Sequence, residues 1–146
     1  SQLMNIITAI LADNRTAVLA TVDSQGKPHI RWVTPGCIVE RPGTIFMVSA
    51  SRFSKVEQIR NNPHGELMVQ TRALDKIVTI SGTINLLSNP SIRLETLECI
   101  GPHLSSFWIS NQPESELVVL EFIIESATLY IPQKGSREEI TFATED

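Results

Sequence analysis

The stretch 28-PHIRWVTPG-36, followed by 44-TIFMVSASRFSKVEQIRNNP-63, lays down a strand, a polar turn and a helix start in quick succession. From His29 to Val33 the residues alternate. Ile30, Trp32 and Thr34 fall on one face, and Arg31, Val33 and Pro35 on the other. An arginine that shares a face with Val33 and Pro35 belongs at a barrel rim or against a ligand rather than over open water. The alternative is an arginine paired with one of the chain's acids.

Further along, Ser54 followed three residues later by Glu57 has the capping-box pattern, with Val56 and Ile59 as apolar positions behind it. The spacing predicts a helix that begins at Ser54 or Lys55. A lysine in the first turn faces the positive end of the helix dipole, which disfavours it by a few tenths of a kcal/mol unless an anion sits in front of the helix. Glu57 and Glu66 are candidate partners for Lys55, and a solvated lysine over a polar turn is the plainer alternative. On the turn alone that plainer reading leads. Arg31 adds weight to the other side: its planar fork suits phosphate oxygens. With the hydroxyls of Ser49, Ser51 and Ser54 between them, Arg31 and Lys55 make a grouping suited to a phosphate monoester.

Outward from this stretch the chain reads as mainly β with peripheral helices. Leu3, Ile6, Ile7, Ile10 and Leu11 form one apolar helix face. Strands are expected at Thr16 to Val22 and Pro28 to Val39 around a Ser24-Gln25-Gly26-Lys27 turn. Others are expected at Thr44 to Ser49, Glu66 to Thr71 and Lys76 to Leu87. Asn89-Pro90 opens a helix that Gly101-Pro102 closes. A last strand runs from Glu116 to about Ile131. It is apolar on both faces through Val118, Val119, Leu120, Phe122, Ile123 and Ile124, so its outer face needs a cover. A small barrel has little to offer except a second copy, and a twofold homodimer is expected. The tail, residues 132–146, is polar and is expected to be loose, with Glu139 to Phe142 as a stretch suited to a short edge strand. No repeat, linker or boundary divides residues 1–146, and a single domain is expected.

The order of these features resembles the FMN-binding split-barrel family of the pyridoxamine 5′-phosphate oxidases, and within it the short general stress protein 26-like branch. The resemblance spans Ile6 to about Tyr130. It rests on the D-S-Q-G-K-P-H hairpin, the R-x-V strand, T-I-F-M-V-S, the S-K-x-x-x-I-x-x-N-P helix, S-G-T at Ser81 to Thr83, and Phe107-Trp108. It implies a six-stranded antiparallel split β-barrel of the α+β type. It also implies a dimer with FMN in the groove between subunits, its phosphate held by Arg31 and Lys55 with help from Ser49. Backbone near Val33 and Thr34 would face the flavin ring. The cofactor-binding set carried over is completed by Val48, Ser54, Trp32 and Trp108. Each tryptophan could stack on a flavin. Core packing is the favoured reading for Trp32, and the two are evenly balanced for Trp108.

The chain also departs from the oxidase pattern. It has Ser54 where the oxidase has a second arginine, Gly36 where a lysine touches flavin and substrate, and Ile77 where a glutamine reaches the ring. No arginine and histidine pair for the substrate phosphate follows Tyr130. FMN binding remains the expectation, whereas oxidation of pyridoxamine 5′-phosphate is not expected.

Composition narrows the classes further. The 146 residues carry a formal charge of −4, without the basic stripe that a nucleic-acid binder needs. Cys37 and Cys99 lack a spacing partner and read as ordinary thiols of a reducing, cytoplasmic compartment. No apolar run reaches membrane length. His29, His64 and His103 are scattered, and no metal site is expected. Three functions stay open: a flavin-dependent oxidoreductase of unknown substrate, a non-catalytic FMN carrier, redox sensor or stress protein, and a split barrel using deazaflavin or haem. Deazaflavin would require a second basic cluster, for which Arg52 and Arg60 are the candidates.

Overall fold

The computed structural model describes residues 1–103 and 117–140. Trp108, and the ends of the last strand and tail read at Glu116 and Phe142, lie outside the described residues. The opening helix α1 (Gln2–Asp13) buries Leu3, Ile7, Ile10 and Leu11, which is the apolar face that the spacing predicts. Strands β1 (Ala17–Val22) and β2 (Pro28–Val33) form a hairpin. Asp23 closes its turn by accepting from the backbone N–H groups of Gln25 and Lys27, each at 2.9 Å. Gly26 takes a φ of +80°, which a glycine adopts without steric cost.

The remaining elements are β3 (Thr44–Ala50), α2 (Ser54–Asn61), β4 (His64–Gln70), β5 (Ile77–Leu87), α3 (Pro90–Ile100), β6 (Leu117–Ile131) and β7 (Ser136–Ile140). Among the described residues, all seven strands belong to one antiparallel sheet in the order β2-β1-β4-β5-β6-β3, with β7 also paired to β6. The sheet therefore has seven strands rather than the expected six. β7 is the additional one, built within the tail after a 3₁₀ turn and a left-handed Gly135 at φ +61°.

The sheet curls into a split barrel without closing. Its two ends, β2 and β3, are linked by Gly36, which follows β2 and exchanges backbone hydrogen bonds of 2.9 and 2.8 Å with Phe46. β2 stops at Val33, well short of the Val39 expected from the sequence. Proline at position 35 has no N–H to continue a ladder, and the chain bends into the Gly36 bridge.

β6 contributes to two separate cores. Val118, Leu120 and Phe122 point into the large core with Leu19, Ile45, Leu67, Ile80 and the face of α1. Val119, of opposite parity, joins Ile38, Phe46 and Ile92 in a second cluster. Ile92 belongs to α3, so this chain's own helix covers the outer face of β6 over Leu117 to Leu120. The outer face of β6 is thus covered internally at Val119, whereas Ile123, farther along the same face, stays 40% exposed. A 2.8 Å ion pair between Arg41 and Glu95 and a 3.3 Å bond from the Cys99 thiol to the Cys37 carbonyl also tie α3 to the loop before β3.

Gly82 marks a tight point of the barrel, beside the bulge in the β5–β6 ladder. A Cβ there would stand 2.3 Å from the Ile123 carbonyl oxygen and 2.5 Å from a Phe122 ring carbon. At Gly65 the nearest atom is the mobile Cδ1 of Ile84, at 2.8 Å. Gly82→Ala is therefore expected to lower stability by about 2–3 kcal/mol, and Gly65→Ala by less than about 1.5 kcal/mol. Urea titrations of the two variants check the ranking; equal losses would contradict it.

Candidate functional site

The inner face of β2 carries Arg31 directly opposite Leu19 of β1. Parity then sends its guanidinium inward at the sheet's edge. Nη1 donates to the Leu19 carbonyl at 3.1 Å and Nη2 to Gln58 Oε1 at 3.0 Å. Both acceptors are neutral. Gln58 lies on α2, and its Oε1 also accepts from the fully buried Thr21 hydroxyl at 2.6 Å.

β3 and α2 bring in the second cation. Ser49 ends the inward series of β3 and is completely buried, its hydroxyl donating to the Ala50 carbonyl at 3.1 Å. The chain turns through Ala50 to Phe53 and enters α2 at Ser54, as the spacing predicts. Lys55 in the first turn reaches back, and Nζ donates to Ser49 Oγ at 3.2 Å while standing 4.7 Å from the centre of the Phe53 ring. The capping box does not form. Phe53 is the N-cap, Ser54 is an exposed first helical residue, and Glu57 instead accepts from Arg60 Nη1 at 3.1 Å. Glu66, the other candidate partner of Lys55, accepts from the Ser81 hydroxyl.

Arg31 and Lys55 are thus two half-buried cations, each resting on neutral oxygens, and among the described residues neither has a carboxylate partner. The electrostatics register the crowding. Burial, reinforced by the charge of Arg31, pushes the Lys55 ammonium down from 10.5 to about 8. Burial also lowers Arg31, although a guanidinium stays charged at any working pH. Two uncompensated cations drawn out of water are costly unless something negative joins them.

The other sequence-derived positions divide. Val33 and Thr34 are half-buried just beyond Arg31, and Val33 packs on the main core. Val48 has the opposite parity from Ser49 and packs on the cluster under α3, so its side chain lies away from Lys55. Trp32 is not a core residue: with Ile30 it stands on the outer face of β2, 70% and 73% exposed. The sequence reading missed Gln58, which with the Leu19 carbonyl holds Arg31, and Thr21, which holds Gln58. Gln58 lies one helical turn beyond Lys55, and that spacing was a signal that they share a face.

Volume alone would have pointed elsewhere. Depressions of about 440 Å³ between α1 and β6 and about 410 Å³ beside Gly65 and Gly82 exceed the one of about 280 Å³ lined by Val18, Ile30, Arg31 and Trp32. The depression beside Gly65 and Gly82 is lined by the carboxylates Glu66 and Glu125, which suit no anion, and the one at Arg31 opens on the outer face of β2 and does not take in Lys55.

With this geometry in view, comparison with known proteins is direct. The family profile described as pyridoxamine 5′-phosphate oxidase matches residues 5–129. A pyridoxine/pyridoxamine 5′-phosphate oxidase of Klebsiella pneumoniae is 32% identical over 139 residues, covering 90% of this chain and 59% of that protein. The chain thus spans about three-fifths of the length of the curated relatives it matches. Among solved structures, a pyridoxamine 5′-phosphate oxidase-related, FMN-binding protein of Nostoc punctiforme superposes with a TM-score of 0.68 at 15% identity, covering 97% of each chain. General stress protein 26 of Bacillus anthracis gives 0.68 at 17% identity, covering 96% of this chain and 100% of the other. A haem-binding protein of Mycobacterium smegmatis gives 0.71 at 15% identity, covering 90% and 55%. At such identities the superpositions speak to the fold, and the match over residues 5–129 speaks to descent: the chain belongs to the pyridoxamine 5′-phosphate oxidase family.

Proposed function

We propose that this chain binds FMN, with Arg31 and Lys55 on the phosphate and Ser49 and Gln58 holding them, and that it works as a flavin-dependent oxidoreductase. The observation that carries the reading is the pair of half-buried cations with no carboxylate partner among the described residues. A phosphate dianion supplies the missing charge, and the remaining guanidinium and ammonium N–H groups supply donors of the right kind. The fit is to one phosphate. Arg60, a candidate for the second basic cluster that a deazaflavin tail would need, is already paired with Glu57, which favours FMN over that alternative.

FMN, once bound, supplies the electron-transfer chemistry. The protein's part is to anchor the phosphate, set the ring against the half-buried backbone of Val33 and Thr34, and keep water from one side. Gly36 bears on the substrate. A Cβ there would lie 2.3 Å from Ile100 Cγ2 and 3.1 Å from Cys99 Sγ, so this position has no room for the lysine that the oxidase pattern places there. That crowding supports a substrate other than pyridoxamine 5′-phosphate, for which orientation over the ring would be lost.

The dimer remains part of the proposal on a new footing. β2 is an end strand of the sheet, and its outer face presents Ile30 and Trp32 beside Val18 and Met68. A second copy covering this stripe would bury it and wall the open side of the Arg31 edge.

Arg31→Ala or Lys55→Ala is expected to weaken FMN roughly 10- to 150-fold and leave riboflavin nearly unchanged, as measured by flavin fluorescence quenching. Equal losses for both ligands would remove the phosphate assignment. FMN affinity is expected to decline as pH rises through about 8, where ligand-free Lys55 loses its proton, and below about 6, where a phosphate monoester loses its second charge. The same shift has a sign for stability. Between pH 8 and 10.5 the unfolded chain holds the Lys55 proton and the folded chain does not, so the ligand-free protein gains stability with rising pH in that window, and Lys55→Met removes that gain. For the dimer, light scattering across a dilution series should give twice the 16.2 kDa chain mass, and Trp32→Lys should shift it to monomer; a wild-type monomer at micromolar concentration would rule the dimer out.

A further inference from the structure

We infer that Gln58 is a positioning residue that sets the charge selectivity of the phosphate site: it orients Arg31 through a neutral acceptor and so leaves the guanidinium charge free for the ligand. The inference rests on the reading of Arg31 and Lys55 as a phosphate site.

A guanidinium only donates, so the amide oxygen of Gln58, not its nitrogen, must face Arg31. The Thr21 hydroxyl donates to the same oxygen from a fully buried position and locks the amide in that orientation. On the other side the Leu19 carbonyl holds Nη1. The fork is therefore fixed by two acceptors, neither of which carries a charge. The neighbouring carboxylate, Glu57, is exposed and engaged with Arg60 and Asn61. α2 thus turns its acid outward and its amide inward. A carboxylate in place of the amide would accept the same two hydrogen bonds and hold the fork as well, yet would cancel one of the two positive charges that meet a phosphate. Neutrality at residue 58 is what separates orienting Arg31 from neutralising it.

Gln58→Glu tests this because it keeps shape and both hydrogen bonds while adding charge. It is expected to leave the thermal midpoint unchanged or raised and riboflavin affinity within about twofold. FMN should be weakened roughly 10- to 100-fold, the scale of one added negative charge close to a phosphate. Gln58→Met, which removes the acceptor without adding charge, is expected to weaken FMN by roughly 5- to 10-fold and again spare riboflavin. FMN bound by Gln58→Glu as tightly as by wild type would overturn the inference, as would parallel losses of FMN and riboflavin in both variants. Arg31→Ala separates the two levels. If it loses FMN while Gln58→Glu does not, only the role of Gln58 falls. If Arg31→Ala itself binds FMN normally, the phosphate site and this inference fall together.

Discussion

Everything in this protein is hung on β6. Along one edge it pairs with β5 from Ile77 to Leu87, and along the other with β3 and then β7. Most of a fifteen-residue strand is thus hydrogen-bonded on both sides, and its side chains supply two cores at once, the barrel interior and the layer beneath α3. Strands buried on both faces are normally found between helical layers. Here curvature provides one cover, and α3 provides the other around Val119. With β6 fixed, β3 is fixed in register, and Ser49 and the entry to α2 follow from β3. β2 and β1 reach the same place from the far end of the sheet order, and the Gly36–Phe46 bridge brings the two ends into register. Arg31 and Lys55 are distant in sheet order and adjacent in space because the sheet curls without closing.

That adjacency works against folding and in favour of binding. Like charges in a partly dry corner oppose the folded state, and the depressed ammonium of Lys55 is the visible sign of it. A binding site for an anion has to be arranged in this way. Neutral donors and acceptors hold the cations in place, and the counter-charge is left for the ligand. Glu57 lies on α2, Asp23 in the β1–β2 turn and Glu66 on β4 beside β1, and each is occupied by another partner: Arg60, His29 and Ser81 respectively. These three acids are therefore engaged away from the two cations.

How far this was legible in the sequence depended on which physical signal each residue carried. Strand parity placed Arg31 correctly with Val33 on the inward face, and the same parity implied that Trp32 faces outward with Ile30. The hydrophobic character of tryptophan pulled the other way, and parity was the better guide. The helix start was readable from Ser54 and the apolar positions behind it, but the cap was not. The motif spacing is satisfied equally whether serine precedes the helix or begins it, and the chain places Phe53 in front. The length of β2 was overread because residues 36–39 retain strand-like composition after Pro35 has ended the ladder. The cover on β6 lay beyond sequence reasoning altogether. α3 exposes Leu94 and buries Thr96, so its pattern does not announce a helix laid across a sheet.

The spacing of Gln58 from Lys55 marks a shared helix face, but its tie to Thr21 was not legible. An amide and a hydroxyl carry no charge, form no motif, and sit 37 residues apart, so nothing local marks them as partners. Only the three-dimensional arrangement shows that a buried hydroxyl fixes an amide, that the amide fixes a guanidinium, and that no charge is spent in doing so. Charged residues in a site can be guessed from their type and placement. The neutral residues that keep those charges available are found only by asking of each cation what holds it still without satisfying it.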